Sequence, residues 1–245
     1  MLAGVSVEYC TRLERGNLKG VSDSILDAVA RALRLDDTER MHLYDLARAA
    51  GPGSRARRPD AEPTVRPSAL RIIEGMPNLP AFVTSDRLDT LAANPLGRAL
   101  FAPMFDDPTS GANSARFAFL TPAARRFYAD WERVAHDAVG VLRVAAGKNP
   151  YDPELTRLIG ELSTHSEEFR TLWGGRDVHV HRKGVKRFRH PVVGELELDH
   201  ERMELLEGLA VVVYSASAHG AAADALTLPA SWAVTNTGRG QRSSW

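Results

Sequence analysis

The polar pair most suited to binding chemistry in this sequence is Asn94 and Arg98, which stand four residues apart. If Asn94 caps a helix that contains Arg98, both side chains can face one point, because residues four apart are neighbours on a helix surface. The fork of an arginine side chain suits a carboxylate. Arg125 and Arg126 are second candidates for the same role. For each arginine the alternative is a surface or structural salt bridge.

Three histidines raise the question of a metal site. His179 and His181 alternate on a predicted strand and so share a face, and His190 could lie on the neighbouring strand. Three converging histidines would suit zinc. However, no carboxylate or cysteine stands at ligand spacing and basic residues crowd the segment, so we predict no metal site.

Enzyme motifs are absent from the sequence. It has no Gly-x-Ser-x-Gly nucleophile turn, no phosphate-binding glycine-rich loop and no His-Glu-x-x-His pair. Asp130 and Glu132 are two residues apart on a predicted helix and so point to different faces, which is poor geometry for paired acid–base chemistry. We therefore expect a protein that is not an enzyme.

Composition sets outer limits on the function. The chain has 245 residues, 44% of them hydrophobic, and a formal net charge of zero. Any affinity for nucleic acid must therefore come from a local arrangement of charge. The single cysteine, Cys10, excludes an internal disulfide and is expected to be a small buried apolar residue. Without a run of about 18 apolar residues or a secretory signal, we expect a cytoplasmic protein with no membrane partner.

The spacing of apolar residues predicts an α+β fold. It predicts two short strands at 80–84 and 90–94 and then a block of helices. The longest predicted helix covers residues 122–146. Further helices are predicted at 153–165 and 167–173, and strands at 178–181, 186–190, 194–199 and 209–215. Two strands, a helical block and then antiparallel strands are the order of a PAS-type α+β sensor domain.

Breaks in the spacing of apolar residues divide the chain into four parts. Residues 1–50 have a helical sequence pattern and are predicted to be an incomplete all-α helix-turn-helix. Residues 51–67 are rich in proline, glycine and charge, which predicts a linker. Residues 68–232 form the predicted PAS-like antiparallel-sheet domain with its helical block. Residues 233–245 are polar and predict a disordered tail.

Residues 4–16 have the pattern of the turn and second helix of a helix-turn-helix. Gly4 permits a tight turn, Ser6 is placed to cap the helix, and Gly16 ends it. The run from Val5 to Gly16, with the helix predicted over 22–35, closely resembles the recognition helix and following helix of XRE-type (Cro/repressor-like) DNA-binding domains.

That resemblance implies contacts with the major groove of double-stranded DNA from the outer face of the helix. The implied DNA-binding residues are Val7, Glu8, Tyr9, Thr11, Arg12 and Arg15. The helix that braces the recognition helix in this family has no full counterpart here. We therefore expect that translation begins upstream or that part of the DNA-binding domain is missing.

The second part of the chain is similar to a more specific domain. Several groups of residues match the MmyB-like ligand-binding domain in the same order. They are Pro80-Ala81, Asp89, Leu91-Ala92-Ala93-Asn94, Gly97-Arg98-Ala99-Leu100, Asn113, Arg116, Phe119-Leu120, Ala124-Arg125, Asp130-Trp131, Ser166-Glu167-Glu168-Phe169, Trp173 and His190-Pro191-Val192-Val193-Gly194-Glu195-Leu196. The resemblance implies a bacterial transcription regulator, acting as a homodimer, whose sensor domain binds a fatty-acid-like ligand.

A fatty acid needs an apolar slot and a polar mouth, because an unpaired carboxylate in an apolar interior is costly. We expect the head group at Asn94 and Arg98, with Arg125 as a further candidate. For the slot we expect Phe101, Phe119, Phe127 and Trp131, for each of which an ordinary core position is the alternative. No cofactor is expected other than a bound fatty acid. Two alternatives are a stand-alone small-molecule-binding protein with a vestigial helix-turn-helix and a PAS domain with haem or flavin.

Overall fold

The structure is a computed structural model that describes residues 22–35, 39–40, 43–44, 47, 64–175, 183–205 and 208–216. Helix α1 (Asp23–Leu33) forms where the sequence predicts one, and it ends at Arg34 in the left-handed conformation. The predicted turn and recognition helix at residues 4–16 and the tail lie outside the described residues. So does the predicted linker at 51–67, except for its last four residues, of which Pro67 already belongs to a helix. The described part that carries the candidate site begins at residue 64.

An antiparallel five-stranded sheet organises this part of the chain. Its strands are β1 (Ala81–Ser85), β2 (Thr90–Ala93), β3 (Lys183–His190), β4 (Gly194–Glu204) and β5 (Leu209–Ser215). They lie in the order β2-β1-β5-β4-β3, so the last of the described strands pairs with the first. The α+β class is confirmed, with two strands, a helical block and then further strands. The predicted strand at 178–181 lies outside the described residues.

Helices fill the segments on either side of the first two strands. They are α2 (Pro67–Glu74), α3 (Pro95–Leu100), α4 (Ala102–Phe105), α5 (Ser114–Leu120), α6 (Pro122–Phe127), α7 (Trp131–Lys148), α8 (Pro153–His165) and α9 (Glu167–Gly174). Side-chain caps fix where several of them begin. Asn113, Asp152 and Ser166 each accept hydrogen bonds from backbone N–H groups in the first turn of α5, α8 and α9.

The prediction of one long helix over residues 122–146 is wrong. Helix α6 ends at Phe127 and α7 begins at Trp131, because Tyr128 between them is extended and pairs with Phe188 of β3. The N–H of Ala129 donates to the carbonyl of Arg187 at 3.0 Å. Since Phe127 and Tyr128 are both buried, the apolar spacing continues through the break and the sequence pattern does not reveal it.

Apolar residues pack on both faces of the sheet. On the inner face, Phe82, Phe188 and Tyr214 contact rings from α3 to α6 in an aromatic cluster. On the outer face, α2 covers β1 and β5, with Ile73 against Val83 and Val211. A third cluster joins α5, α7, α8 and α9 beside the sheet.

Loop backbone meets the sheet at both edges. At the β2 edge, Asp89 pairs with Asn113, and the N–H of Thr90 donates to the carbonyl of Ala112 at 2.9 Å. At the β3 edge, Phe188 pairs with Tyr128. The loops that lead into α5 and α7 are therefore fixed directly to the sheet. Among the described helices, none has the length and apolar character that crossing a bilayer requires.

Candidate functional site

A partly enclosed cavity of about 100 Å³ lies between α7 and the inner face of the sheet. Its floor comes from alternate residues of β1, β3, β4 and β5, because side chains two apart on a strand share a face. Its roof is the middle of α7. The apolar part of the wall includes Phe82, Phe101, Met104, Val134, Ala138, Val141 and Val212. The polar part includes Thr84, Tyr128, Asp137, Lys186, His200, Arg202 and Tyr214.

An ammonium and a carboxylate face each other in the polar part of the wall. Lys186 Nζ of β3 lies 3.9 Å from Asp137 Oδ2 of α7, and the two side chains are 18% and 10% exposed. This distance is longer than that of a hydrogen bond. Burial lowers the pKa of Lys186, and the positive charges of Arg133 and Arg202 lower it further. The Asp137 carboxylate acts in the opposite direction and raises it. The fold thus holds a lysine where desolvation disfavours its charge.

The second cation of the wall, Arg202, is engaged by neighbouring groups. Its side chain is 8% exposed. Its Nη1 donates to Thr84 Oγ1 at 3.1 Å and its Nε donates to Glu204 Oε1 at 3.2 Å. A third contact joins Nη2 to Asp86 Oδ1 at 3.8 Å. These contacts turn the guanidinium toward β1 and balance its charge.

Two tyrosines and a histidine complete the polar part. His200 Nδ1 lies 2.7 Å from the carbonyl oxygen of Gly184, and its ring stacks on Tyr214. Tyr128 and Tyr214 are 3% and 5% exposed. Burial raises the pKa of Tyr128 well above its ordinary value, with a smaller contribution from Tyr214. Burial likewise raises the pKa of Tyr214, so both phenols are neutral hydrogen-bond donors at physiological pH.

The comparison with family models places this cavity in a known domain. Residues 65–228 match the MmyB-like transcription regulator ligand binding domain. The matched region covers about two thirds of the chain and includes every strand of the sheet. The chain belongs to this family. A comparison with curated proteins gave no match.

Within the MmyB-like domain, the side chain of Asn94 hydrogen-bonds to the backbone of several neighbouring segments. Its Oδ1 accepts hydrogen bonds from the N–H groups of Gly97 and Ala81 at 2.7 and 3.1 Å. Its Nδ2 donates to the carbonyls of Ile73, Met76 and Leu79 at 2.7–3.2 Å. The predicted cap of α3 is therefore confirmed. The side chain is 2% exposed and does not line the cavity, so the structure does not bring Asn94 to a ligand head group there.

The two arginines expected at the head group lie on the surface of the MmyB-like domain. Arg98 is exposed, with its guanidinium 5.0 Å from the centre of the Phe105 ring. Arg125 forms an ion pair with Glu168 and lies 3.7 Å over the Trp131 ring. Neither side chain lines the cavity, and the two belong to different elements. Arg125 therefore occupies the surface salt bridge that was its alternative, and Arg98 lies exposed beside the Phe105 ring.

The four aromatic residues expected in the slot have different surroundings. Phe101 lines the cavity, and Phe127 packs behind it with ring centres 5.5 Å apart. Phe119 lies instead between Trp131 and Phe169 in the cluster beside the sheet. Trp131 lines a separate groove of about 360 Å³ that is open to solvent between α7 and α9. Of these four residues, only Phe101 lines the cavity, and Phe127 supports it from behind.

Other expected sites fall partly outside the described residues. All six residues expected to bind DNA, from Val7 to Arg15, lie there, and so do His179 and His181. His190 is buried, with Nε2 3.1 Å from the carbonyl oxygen of Ala99. Among the residues that the structure describes, no three His, Cys, Asp or Glu side chains come together in a group able to hold a metal ion.

Sequence reasoning missed Lys186, Arg202 and Tyr214 as members of one site. In the sequence, Lys186 stands with Arg187 and Arg189 in the basic segment beside His190. Strand alternation separates them, because Lys186 shares the inner face with Phe188 while the two arginines face outward. An isolated lysine in phase with buried aromatic residues was the available signal.

Proposed function

We propose that this chain is a DNA-binding transcription regulator whose cavity beneath α7 binds a small amphiphilic ligand, with a fatty acid as the first candidate. The observation that carries the proposal is the cavity itself. It lies inside the MmyB-like ligand-binding domain, and its wall has an apolar part around Phe82, Phe101 and Met104 and a polar part around Lys186. A wall of this kind matches a molecule with an apolar body and a polar end.

The size of the cavity bears on how the ligand acts. Pockets for drug-sized ligands have volumes of about 300–1,000 Å³, whereas this cavity has about 100 Å³. A small acid fits as the structure stands, but a long acyl chain must displace side chains, of which the flexible Met104 is the most adaptable. The ligand-bound form is then a different arrangement of the domain, and the ligand shifts the protein toward it.

The proposed output is a change in DNA affinity. The residues that resemble an XRE recognition helix, Val7 to Arg15, would read the major groove, and a homodimer would read paired half-sites in the cytoplasm. With a formal net charge of zero, the DNA-binding charge must be local. We take the bound molecule to be a signal and not a substrate, so the protein is not an enzyme in this proposal.

The test is native mass spectrometry of the full chain purified from cells, with extraction and identification of any bound molecule. We expect a co-purifying amphiphile in the wild type. Ala138 lines the cavity, so Ala138→Leu should fill it and abolish the adduct. Thr156→Leu adds the same side chain at an exposed position of α8 and should leave the adduct unchanged. An empty wild type that also ignores added fatty acids would contradict the proposal.

A second measurement separates the regulator from the stand-alone ligand-binding protein. Labelled DNA from upstream of the gene is titrated with the full chain, with and without the identified ligand. The regulator requires an affinity for this DNA that changes with ligand. A protein that binds the ligand but shows the same weak, salt-sensitive affinity for any DNA sequence would be the stand-alone binding protein.

A further inference from the structure

Three hydrogen-bond donors belong to side chains of the cavity wall. They are Lys186 Nζ, the hydroxyl of Tyr128 and the hydroxyl of Tyr214, and all three residues line the wall. Within the described part of the chain, none of these groups donates a side-chain hydrogen bond. The carboxylate that faces Lys186 is at 3.9 Å. Buried tyrosine hydroxyls usually find a partner, and a buried ammonium has three protons to satisfy.

Such a set of donors indicates a ligand that supplies acceptors. Ordered water is the simplest one, and a cavity of about 100 Å³ has room for several water molecules. Water leaves the charge of the ammonium uncompensated apart from Asp137. A negatively charged oxygen would satisfy both the hydrogen bonds and the charge, and charge-assisted hydrogen bonds are the stronger kind.

The charges around the cavity define the anion. Arg202 is balanced by Glu204 and Asp86, which leaves Lys186 as the cation that a ligand can reach. One ammonium with two neutral hydroxyls matches a singly charged group with two acceptor oxygens. A dianionic phosphate would carry two negative charges against the single ammonium of Lys186. The nearby Asp137 carboxylate would repel it further.

We propose that Lys186, assisted by the hydroxyls of Tyr128 and Tyr214, binds the carboxylate of the ligand, whose apolar part lies against Phe101 and Met104. This inference rests on the proposed function, since it assigns the polar end of that ligand. Asp137 competes with the ligand carboxylate for Lys186. The surface arginine Arg98 takes no part in it.

The test is calorimetric titration of the full chain with sodium octanoate and with octan-1-ol, which share one chain length and differ in charge. We expect octanoate to bind at least about tenfold more tightly than octanol, the effect of one hydrogen bond to a charged group. Lys186→Met, which keeps the length of the side chain, should weaken octanoate by about the same factor and leave octanol unchanged. Arg98→Met is the matched control and should change neither affinity.

Two further variants make the test independent of the lysine. Asp137→Asn removes a like charge, so octanoate should bind more tightly to it than to the wild type, which a merely structural role would not produce. The double variant Tyr128→Phe/Tyr214→Phe loses only two oxygen atoms and should weaken octanoate more than octanol. It carries the test if Lys186→Met does not fold.

The outcomes separate this inference from the proposed function. If the wild type binds octanoate and octanol equally, or if Lys186→Met binds octanoate as the wild type does, the carboxylate site is overturned and the amphiphile proposal stands. If the wild type binds neither, the amphiphile proposal fails, and sodium acetate tests the site alone. If acetate raises the unfolding temperature of the wild type but not of Lys186→Met, the carboxylate site stands. If acetate does not raise the unfolding temperature of the wild type, the site is overturned and water is its occupant.

Discussion

Arg116 and Glu161 join α5 to α8 through a two-point ion pair, with Nε 2.9 Å from Oε1 and Nη2 2.8 Å from Oε2. The side chains are 21% and 32% exposed, and the parallel geometry is the favourable one for a guanidinium and a carboxylate. We expect Arg116→Met to lower the free energy of unfolding by about 1 kcal/mol in urea titrations at pH 7. Arg157, whose ion pair with Glu154 is mostly exposed, is the control, and Arg157→Met should have almost no effect.

The same pair predicts a dependence on pH. Hydrogen bonding from Arg116 lowers the pKa of Glu161, against an opposing effect of burial. A carboxyl with a lowered folded-state pKa stabilises the fold above its unfolded-state pKa of about 4.3. That contribution is lost as the pH falls through the folded-state value. The difference in unfolding free energy between wild type and Arg116→Met should therefore shrink between pH 6 and pH 3, and an unchanged difference would contradict this account.

Asn94 offers the sharpest distinction between a structural and a ligand-binding role. Asn94→Ala leaves the buried N–H groups of Ala81 and Gly97 without an acceptor and the carbonyl of Leu79 without its donor. The carbonyls of Ile73 and Met76 lose one of two donors each. We therefore expect a loss of about 3–5 kcal/mol in unfolding free energy. Asn94→Asp keeps the acceptor but sets a carboxylate against those carbonyls, and it should also destabilise. An Asn94→Ala protein with wild-type stability and lost ligand binding would restore the head-group role.

Two glycines in helices should respond oppositely to alanine. A Cβ at Gly97 of α3 would lie 2.8 Å from the carbonyl oxygen of Ala81, and backbone cannot move aside easily. A Cβ at Gly160 of α8 would meet nothing within 4 Å. Gly97→Ala should therefore lower stability by about 1–3 kcal/mol, and Gly160→Ala should raise it by about 0.5–1 kcal/mol. Thermal unfolding monitored by circular dichroism would show the two shifts, and a tolerated Gly97→Ala would mean that α3 can move away from β1.

His190 is expected to make the fold sensitive to mild acid. Its Nδ1 accepts from the N–H groups of Val192 and Val193 at 3.2 and 3.3 Å, which protonation would abolish. Burial lowers the pKa of His190, although the hydrogen bond to Ala99 opposes this. Stability is then fully present above the unfolded-state value of about 6.5 and falls as the pH drops below it, because the unfolded chain binds the proton first.

The measurement is urea unfolding at pH 7.5 and pH 5.5. His190→Asn, whose side-chain oxygen can still accept from the turn, should lose less stability over this interval than the wild type. His165→Asn, at an exposed position of α8, should lose as much as the wild type. Equal losses in all three proteins would assign the acid sensitivity to other groups.

The sequence predicts those elements well whose ends carry their own chemical signals. Helix α8 runs from Pro153 to His165 as expected, because Asp152 caps it and its apolar face is regular. The strand β5 has the predicted bounds, since an apolar run of that length has few alternatives. Helix α5 was missed, although Asn113 followed by a short apolar pattern was a usable signal.

The site was harder to predict because its wall comes from distant parts of the chain. Phe101, Asp137 and Lys186 meet only once the strands and α7 are in place, and no local pattern links them. The match between arginine and carboxylate predicts Arg98 and Arg125 at a head group, but their positions on short helices put them at the surface. Whether Lys186 is buried depends on the register of its strand. That register is known only once the strand pairing is known, and a single sequence does not give the pairing.

The loop contacts at the two sheet edges have a consequence for assembly. Asn113 beside β2 and Tyr128 beside β3 occupy backbone positions that an incoming strand would need. Exposed edge strands invite strand addition and aggregation, and this domain blocks part of each edge with its own chain. Where these loops pair with β2 and β3, a strand of a second copy cannot extend the sheet.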